Sequence, residues 1–539
     1  MTTTDAYAAW RDGFRWDVPK SFNIATAILE RNAPHAPALI DARAGEPVRT
    51  YSFAELDQLS NRLANLLIDD GLLPGERVGI LLPQRVETLL AHLAVYKAGA
   101  VALPLFTAFG QEALRFRLKD SAARFVLADG ANAPRVRDLA ADFAGLDRII
   151  DVDAPTFADA LAAADGWAAH ERTRADDPAL IIYTSGTTGA PKGAVHGHRV
   201  LLGHLPGVTM PHAGFPQPGD RFWTPADWAW IGGLLDVLLP SLYHGVPVVA
   251  GPGGKFEPSS AVRFMATHAV RNVFMPPTAL RLMRAAEVDA SGVRLRTMAS
   301  GGERLGDELV DWVRRTFGVE IDEFYGQTEA NLLVSGMAGA FPRRAGAIGR
   351  PVPGHEVAIV DAAGEVPPPD EVGIIAVRRP DPVMFLGYWN DPEATARKFQ
   401  GDWMLTGDMG RMDADGYVTF VGRDDDLINT SGFRVGPSEV EAALAEHPAV
   451  AQVAVVGMPD AERGEAVVAC VVLRPGFAPD EALAEDLRER ARATVGAHAR
   501  PRHVVFRDAF PLTATGKILR RDLRAHLAAE AAGEAGANA

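Results

Sequence analysis

The sequence predicts an α/β protein: a large N-terminal domain of layered α/β sheets with a small β-rich subdomain, then a smaller α+β C-terminal domain. Three observations carry this. Short apolar runs alternate with helix-length amphipathic stretches over much of the chain. After about residue 345, Gly and Pro begin to punctuate short apolar runs. The length, 539 residues, exceeds what one core supports, since single cores stop growing at roughly 250–300 residues.

Residues 52–70 have helical apolar spacing and open with Ser52 followed by Glu55, a capping box. Residues 78–82 read as a buried strand, 86–99 as a helix, and 101–105 and 125–128 as strands; 180–183 and 247–250 continue the series. Strands alternating with helices of this length imply parallel layers. Runs 357–360 and 373–377 belong to the β-rich subdomain. Past Arg423 come a helix at 436–446, strands at 450–457 and 466–473, a helix at 479–494 and a strand at 503–506. The Ala- and Glu-dominated tail after His526 reads as frayed.

A net charge of -15 argues against a nucleic-acid partner, which wants a basic face. The single cysteine, Cys470, lies inside an apolar run and reads as a buried thiol in a reducing compartment. The N-terminus carries no targeting pattern. The most apolar stretch, 231–250, is broken by Asp236, Pro240, His244 and Pro247, so no membrane insertion is expected and the cytoplasm is the expected location. Only seven of the 54 Lys and Arg residues are lysines, so a retained lysine suggests a need for a compact ammonium.

The segment 183–193 follows an apolar strand directly and carries Thr184, Ser185, Gly186, Thr187, Thr188, Gly189 and Lys192. Glycines let backbone N–H groups close around phosphate oxygens, hydroxyls add donors, and the lysine adds charge. It is not a P-loop, because Pro191 and Gly193 flank the lysine. With the ordered segments that follow, the chain resembles the AMP-forming acyl and aryl ligases from about residue 20 to residue 525, nearest the acetyl-CoA and medium-chain acyl-CoA synthetases.

The resemblance implies ATP and coenzyme A as substrates, Mg²⁺ as cofactor, and a role for each matching residue. Tyr325 would offer a π face to adenine, Thr328 would donate to the α-phosphate, and Glu329 would bind the metal. Gly302 and Glu303 match a turn against the purine, although Arg304 departs from the family pattern. Asp408 and Arg423 would clamp the ribose. Asp425 matches the hinge about which a mobile C-terminal domain swings, which divides the chain into residues 1–424 and 425–539. Ser431, Gly432 and Arg434 match the coenzyme A tunnel, and Lys517 the catalytic lysine, a target of a protein acetyltransferase in relatives. Taken singly, each of these residues is an ordinary turn or surface residue; their shared order is what distinguishes them.

Ile231, Gly232, Gly301 and Gly326 match positions lining the acyl pocket. Acetate-specific relatives close it with tryptophan where this chain has Gly326, so a deeper pocket is expected. The expected substrate is a linear or branched acid of roughly four to ten carbons, each buried methylene adding about 0.8 kcal/mol. Acetate or propionate, a flat aryl acid of the benzoate type, and transfer to a carrier protein are the alternatives. Trp223 and Trp228 either shorten the pocket or belong to the core. A nonribosomal adenylation domain would normally precede a carrier domain, and about 20 residues follow Lys517 here.

Overall fold

A computed structural model describes residues 3–140, 145–167, 172–184, 190–423, 426–430, 433–460, 463–512 and 518–537. Two large sheets dominate the N-terminal part. A seven-stranded sheet runs in the order Gly387–Tyr388, Lys192–Gly197, Pro178–Thr184, Val101–Pro104, Arg77–Leu81, Phe125–Ala128, Arg148–Asp151. A nine-stranded sheet is built around the parallel strands Thr297–Gly301, Asn272–Phe274, Phe222–Trp223, Val248–Ala250 and Pro37–Asp41. The centres of both sheets are parallel, as the alternation implies; antiparallel pairs finish both edges of the nine-stranded sheet and one edge of the seven-stranded sheet, whose other edge, Arg148–Asp151, is parallel.

The helices Phe53–Asp69 and Val86–Lys97 belong to the largest core. The first begins with the expected capping box: Ser52 Oγ accepts from the Glu55 N–H at 3.2 Å, and Glu55 Oε2 accepts from the Ser52 N–H at 2.8 Å. The second ends on Lys97, whose fully buried ammonium donates to Asp57 Oδ1 at 2.7 Å, Ser60 Oγ at 2.8 Å and Asn61 Oδ1 at 2.6 Å. A cation so buried persists only when its donors are satisfied.

The β-rich part is a five-stranded sheet: Val357–Val360, Gly373–Arg378, Trp403–Met412 and Phe399–Gln400 in order, with Val418–Arg423 also on Trp403–Met412. A fourth sheet holds Phe433–Val435, Ile428–Thr430, Gly464–Leu473 and Val450–Asp460, with His503–Phe506 parallel to Gly464–Leu473. Cys470 is buried in it, its thiol pushed up to about 11 by burial.

Three sequence expectations need correction. The hairpin strands Val450–Asp460 and Gly464–Leu473 are longer than read, because pairing continues through Asp460 opposite Gly464. The helix read at 479–494 is Glu481–Thr494, because Asp480 caps it through the Leu483 N–H at 2.7 Å. The tail is helical, Arg520–Ala537, rather than frayed at His526. Ala, Leu, Arg and Glu are strong helix formers, and Arg507 grips Glu530 at 2.5 and 2.7 Å.

Candidate active site

Thr184 stands opposite Lys192 in an antiparallel pair, so these strands bracket the glycine-rich loop. Ser185, Gly186, Thr187, Thr188 and Gly189 lie outside the described residues. The Thr184 hydroxyl donates to the Lys192 carbonyl at 3.4 Å. The Lys192 ammonium lies 5.2 Å from the ring centroid of Tyr388, on the neighbouring strand. The Tyr388 hydroxyl in turn donates to Glu329 Oε1. Burial, then the neighbouring Glu329 carboxylate, raises the Tyr388 phenol, which therefore remains a donor. Glu329 is buried, and its carbonyl accepts from the Phe385 N–H at 2.8 Å. Thr328 is half-buried at the turn between Ile321–Gln327 and Ala330–Ser335.

A second cluster centres on Asp408. The Tyr325 hydroxyl donates to its Oδ2 at 2.6 Å, and Arg423 Nε lies 3.4 Å from its Oδ1. Gly407, at φ +79°, sits just before it at a bulge in the strand Trp403–Met412; the Asp408 N–H donates to Thr406 Oγ1 at 3.1 Å. The two predicted ribose residues and the predicted adenine residue therefore meet. Tyr325 is anchored by its hydroxyl, a contact the sequence did not suggest.

Lys398 was also missed. Its ammonium donates to Gln327 Oε1 at 3.1 Å, the Thr406 carbonyl at 3.1 Å and the Leu405 carbonyl at 3.3 Å. Three acceptors satisfy its three protons, so the ammonium is held against Gln327, whose Nε2 reaches the Thr406 carbonyl at 3.0 Å. Burial lowers the pKa of this ammonium. Its signal was available: Lys398 is one of only seven lysines.

Gly302 adopts φ +86° directly after the strand whose last residue, Gly301, pairs with Phe324. The Glu303 carboxylate accepts from the Thr278 hydroxyl at 2.9 Å and from Arg281 at 2.8 Å. Arg304, the departure from the family pattern, donates to the Ser438 carbonyl at 3.0 Å and so joins this turn to the helix Pro437–Ala445.

The acyl-pocket glycines differ most from expectation. A Cβ on Gly301 would stand 2.4 Å from the Phe324 ring, and one on Gly232 would stand 2.9 Å from the Trp230 ring and 3.0 Å from Phe274. A Cβ on Gly326 would stand 2.4 Å from the Leu332 nitrogen and 2.6 Å from the Asn331 Cα. The volume these glycines vacate is thus taken by aromatic rings and a passing backbone, not left open. Ile231 is buried beside Gly232. Trp223 and Trp228 are core residues: Trp223 donates to the Gly251 carbonyl at 2.7 Å, and both are almost fully buried.

In the C-terminal part, Asp425, Ser431, Gly432 and Lys517 lie outside the described residues, as does the Arg434 side chain; the Arg434 backbone is in Phe433–Val435. Asp426 is held by Arg524 at 2.9 Å. Leu512 and Ile518 pair antiparallel on either side of the segment containing Lys517.

A cavity of about 210 Å³ is lined by Asp322, Glu323, Phe341 and Arg343 among others. Burial pushes each of the two carboxyls up to about 7. The folded chain retains these protons where the unfolded chain has lost them. Their stabilisation is therefore full below about pH 4 and lost as pH rises through about 7. The melting temperature of Asp322→Asn should accordingly decline less than that of wild type between about pH 5 and pH 8. Parallel curves would show that Asp322 does not titrate in that window.

Residues 28–389 match the AMP-binding enzyme family, and residues 439–517 match the AMP-binding enzyme C-terminal domain. The chain is 35% identical over 489 residues to an acetyl-coenzyme A synthetase of Bacillus subtilis, covering 88% of this chain and 85% of that protein. It is 34% identical over 530 residues to the mitochondrial acyl-coenzyme A synthetase ACSM5 of Rattus norvegicus, covering 94% and 91%. The structure of the anthranilate CoA ligase AuaEII in complex with anthranoyl-AMP superposes with a TM-score of 0.87 at 30% identity, covering 95% and 99% of the two chains. The chain belongs to the AMP-forming acyl-CoA synthetase family of adenylate-forming ligases. It is an acid–CoA ligase that uses ATP and coenzyme A. Among the described residues no helix is long and apolar enough to cross a membrane.

Proposed function

We propose that this ligase activates an acid larger than acetate, with an apolar body of roughly four to ten carbons, chain length mattering at about 0.8 kcal/mol per buried methylene. What supports this reading is that Gly326 brings no closing side chain to the acyl wall. A flat aromatic acid is the second reading, supported by the rings of Trp230, Phe274 and Phe324, whose successive centroids lie 5.6 and 5.1 Å apart.

In the first half-reaction the substrate carboxylate attacks the α-phosphorus of ATP and pyrophosphate leaves. Thr184, Ser185, Gly186, Thr187, Thr188, Gly189 and Lys192 would hold the phosphates, and Thr328 would donate to the α-phosphate. Asp408 and Arg423 would hold the ribose, and Tyr325 with Gly302 and Glu303 the purine. Glu329 suits Mg²⁺, which commonly takes one or two carboxylates with phosphate oxygens and water. Tyr388 engages only its Oε1, and among the described residues no three His, Cys, Asp or Glu side chains gather as an all-protein metal site. When bound, the ion would neutralise phosphate charge. Lys517 would bring the attacking carboxylate and the phosphate together.

The second half-reaction follows rotation about Asp425, the boundary we assign between residues 1–424 and 425–539. The hinge reading is supported by its neighbours: Arg423 is tied to Asp408 and Asp426 to Arg524. The thiol of coenzyme A, guided by Ser431, Gly432 and Arg434, then attacks the acyl-adenylate and AMP leaves. Lys517 is also the residue we assign to acetyltransferase control. The single buried cysteine supports a cytoplasmic location.

Pyrophosphate release and coenzyme A consumption should be measured across straight-chain acids from C2 to C12, with benzoate included. The expected result is a maximum between four and ten carbons or at benzoate, with acetate at least about tenfold lower in kcat/KM. Acetate as the best substrate would overturn this reading.

A further inference from the structure

The acyl wall carries a polar pair that apolar acids would not need. Asp236 lies one turn beyond Gly232, in a π-helical turn, Leu234–Leu238, otherwise made of Leu and Val. Such turns recur at functional sites. Asn331 lies against Gly326: its Oδ1 is 2.6 Å from where a Gly326 Cβ would stand. The two residues meet, Asn331 Nδ2 donating to Asp236 Oδ1 at 2.7 Å.

Their remaining oxygens are the informative part. No hydrogen bond reaches Asp236 Oδ2 or Asn331 Oδ1 among the described residues. Neither oxygen belongs to the fully sealed, unpartnered polar atoms, and Asp236 and Asn331 retain 4% and 5% exposure. One amide oxygen, Asn331 Oδ1, and one carboxyl oxygen, Asp236 Oδ2, therefore retain access to space inside an apolar wall. Leaving a buried acceptor without a donor is costly, and a group arriving with the substrate removes that cost. Burial, opposed by the Asn331 bond, pushes the Asp236 carboxyl well above the usual carboxylate range. A neutral carboxyl carries a hydroxyl, so the pair offers the Asn331 amide oxygen as acceptor beside the Asp236 hydroxyl, a combination that suits an uncharged hydroxyl or amine better than a cation.

We propose that Asp236 and Asn331 form a polar specificity element selecting an acid whose body carries an uncharged hydrogen-bond donor, a hydroxyl or an aromatic amine, at its far end. The proposal rests on the reading that Gly232, Gly301 and Gly326 border the acyl pocket.

The test pairs acids that differ only in that donor: hexanoate with ω-hydroxyhexanoate, and benzoate with its hydroxy- and amino-substituted isomers. Each is assayed by pyrophosphate release with the full-length enzyme. Wild type should favour one donor-bearing member over its parent by about tenfold or more in kcat/KM, since a site built for a hydroxyl rejects the analogue lacking it. Asp236→Leu together with Asn331→Leu should reverse that ratio. Asp236→Asn, which preserves size, should shrink it even if the double variant fails to fold. Wild type using the parent acids as well as all their substituted partners would overturn the proposal while leaving the ligase reading intact. Failure to release pyrophosphate with any acid longer than acetate would instead overturn the reading on which it rests.

Discussion

Lys517→Ala should lower adenylate formation by about a hundredfold to a thousandfold, the range typical of removing one preorganised electrostatic contact, while a supplied acyl-adenylate should still be converted to thioester. Two anions, the carboxylate and the α-phosphate, must approach each other in the first half-reaction, and a positioned ammonium offsets their repulsion. In the second half-reaction a thiol attacks a neutral carbonyl carbon and that need disappears. Leu512 and Ile518, on either side of this lysine's segment, pair antiparallel. Measuring pyrophosphate release and AMP release separately distinguishes the two steps. Equal losses in both would refute the role.

Gly326→Trp is the second large effect, and here sequence logic and structure disagree. By sequence logic an indole at this position closes the pocket and converts the enzyme to acetate. The structure places the Leu332 nitrogen 2.4 Å and the Asn331 Cα 2.6 Å from the first atom such a side chain would add. Backbone cannot step aside as a flexible side chain can. Even Gly326→Ala should cost about 1–3 kcal/mol, the usual range for overpacking, and Gly326→Trp should cost more and lose activity toward all acids. Thermal denaturation and the acid panel check this together. A stable Gly326→Trp enzyme that prefers acetate would show that Ala330–Ser335 moves readily.

The parallel cores of both large sheets were legible because buried parallel strands and their covering helices leave continuous apolar runs and helical spacing, both local patterns. The Ser52–Glu55 cap was legible for the same reason. The tail beyond His526 was misread as frayed because its stabilising partner, Arg507, is distant in sequence from Glu530. Asp408, Arg423, Tyr325 and Glu329 were legible as ordered motif segments, and the structure brings the first three together around one carboxylate. The contacts of Lys398, Gln327 and Tyr388 were not, since each is made only once separate strands are aligned. Lys398 meets Gln327 across the sheet boundary, and Tyr388 reaches Glu329 from the strand beside Lys192.

By itself, the sequence determined the layered α/β architecture and the adenylate-forming chemistry, because periodicity, glycine turns and ordered motifs are written within short stretches of chain. Only the tertiary structure decided what occupies the space beside Gly232, Gly301 and Gly326. A missing side chain records the room it leaves but not the neighbour that fills it. Here the neighbours are Trp230, Phe274, Phe324 and the backbone of Asn331 and Leu332, brought in from three separate stretches of the chain.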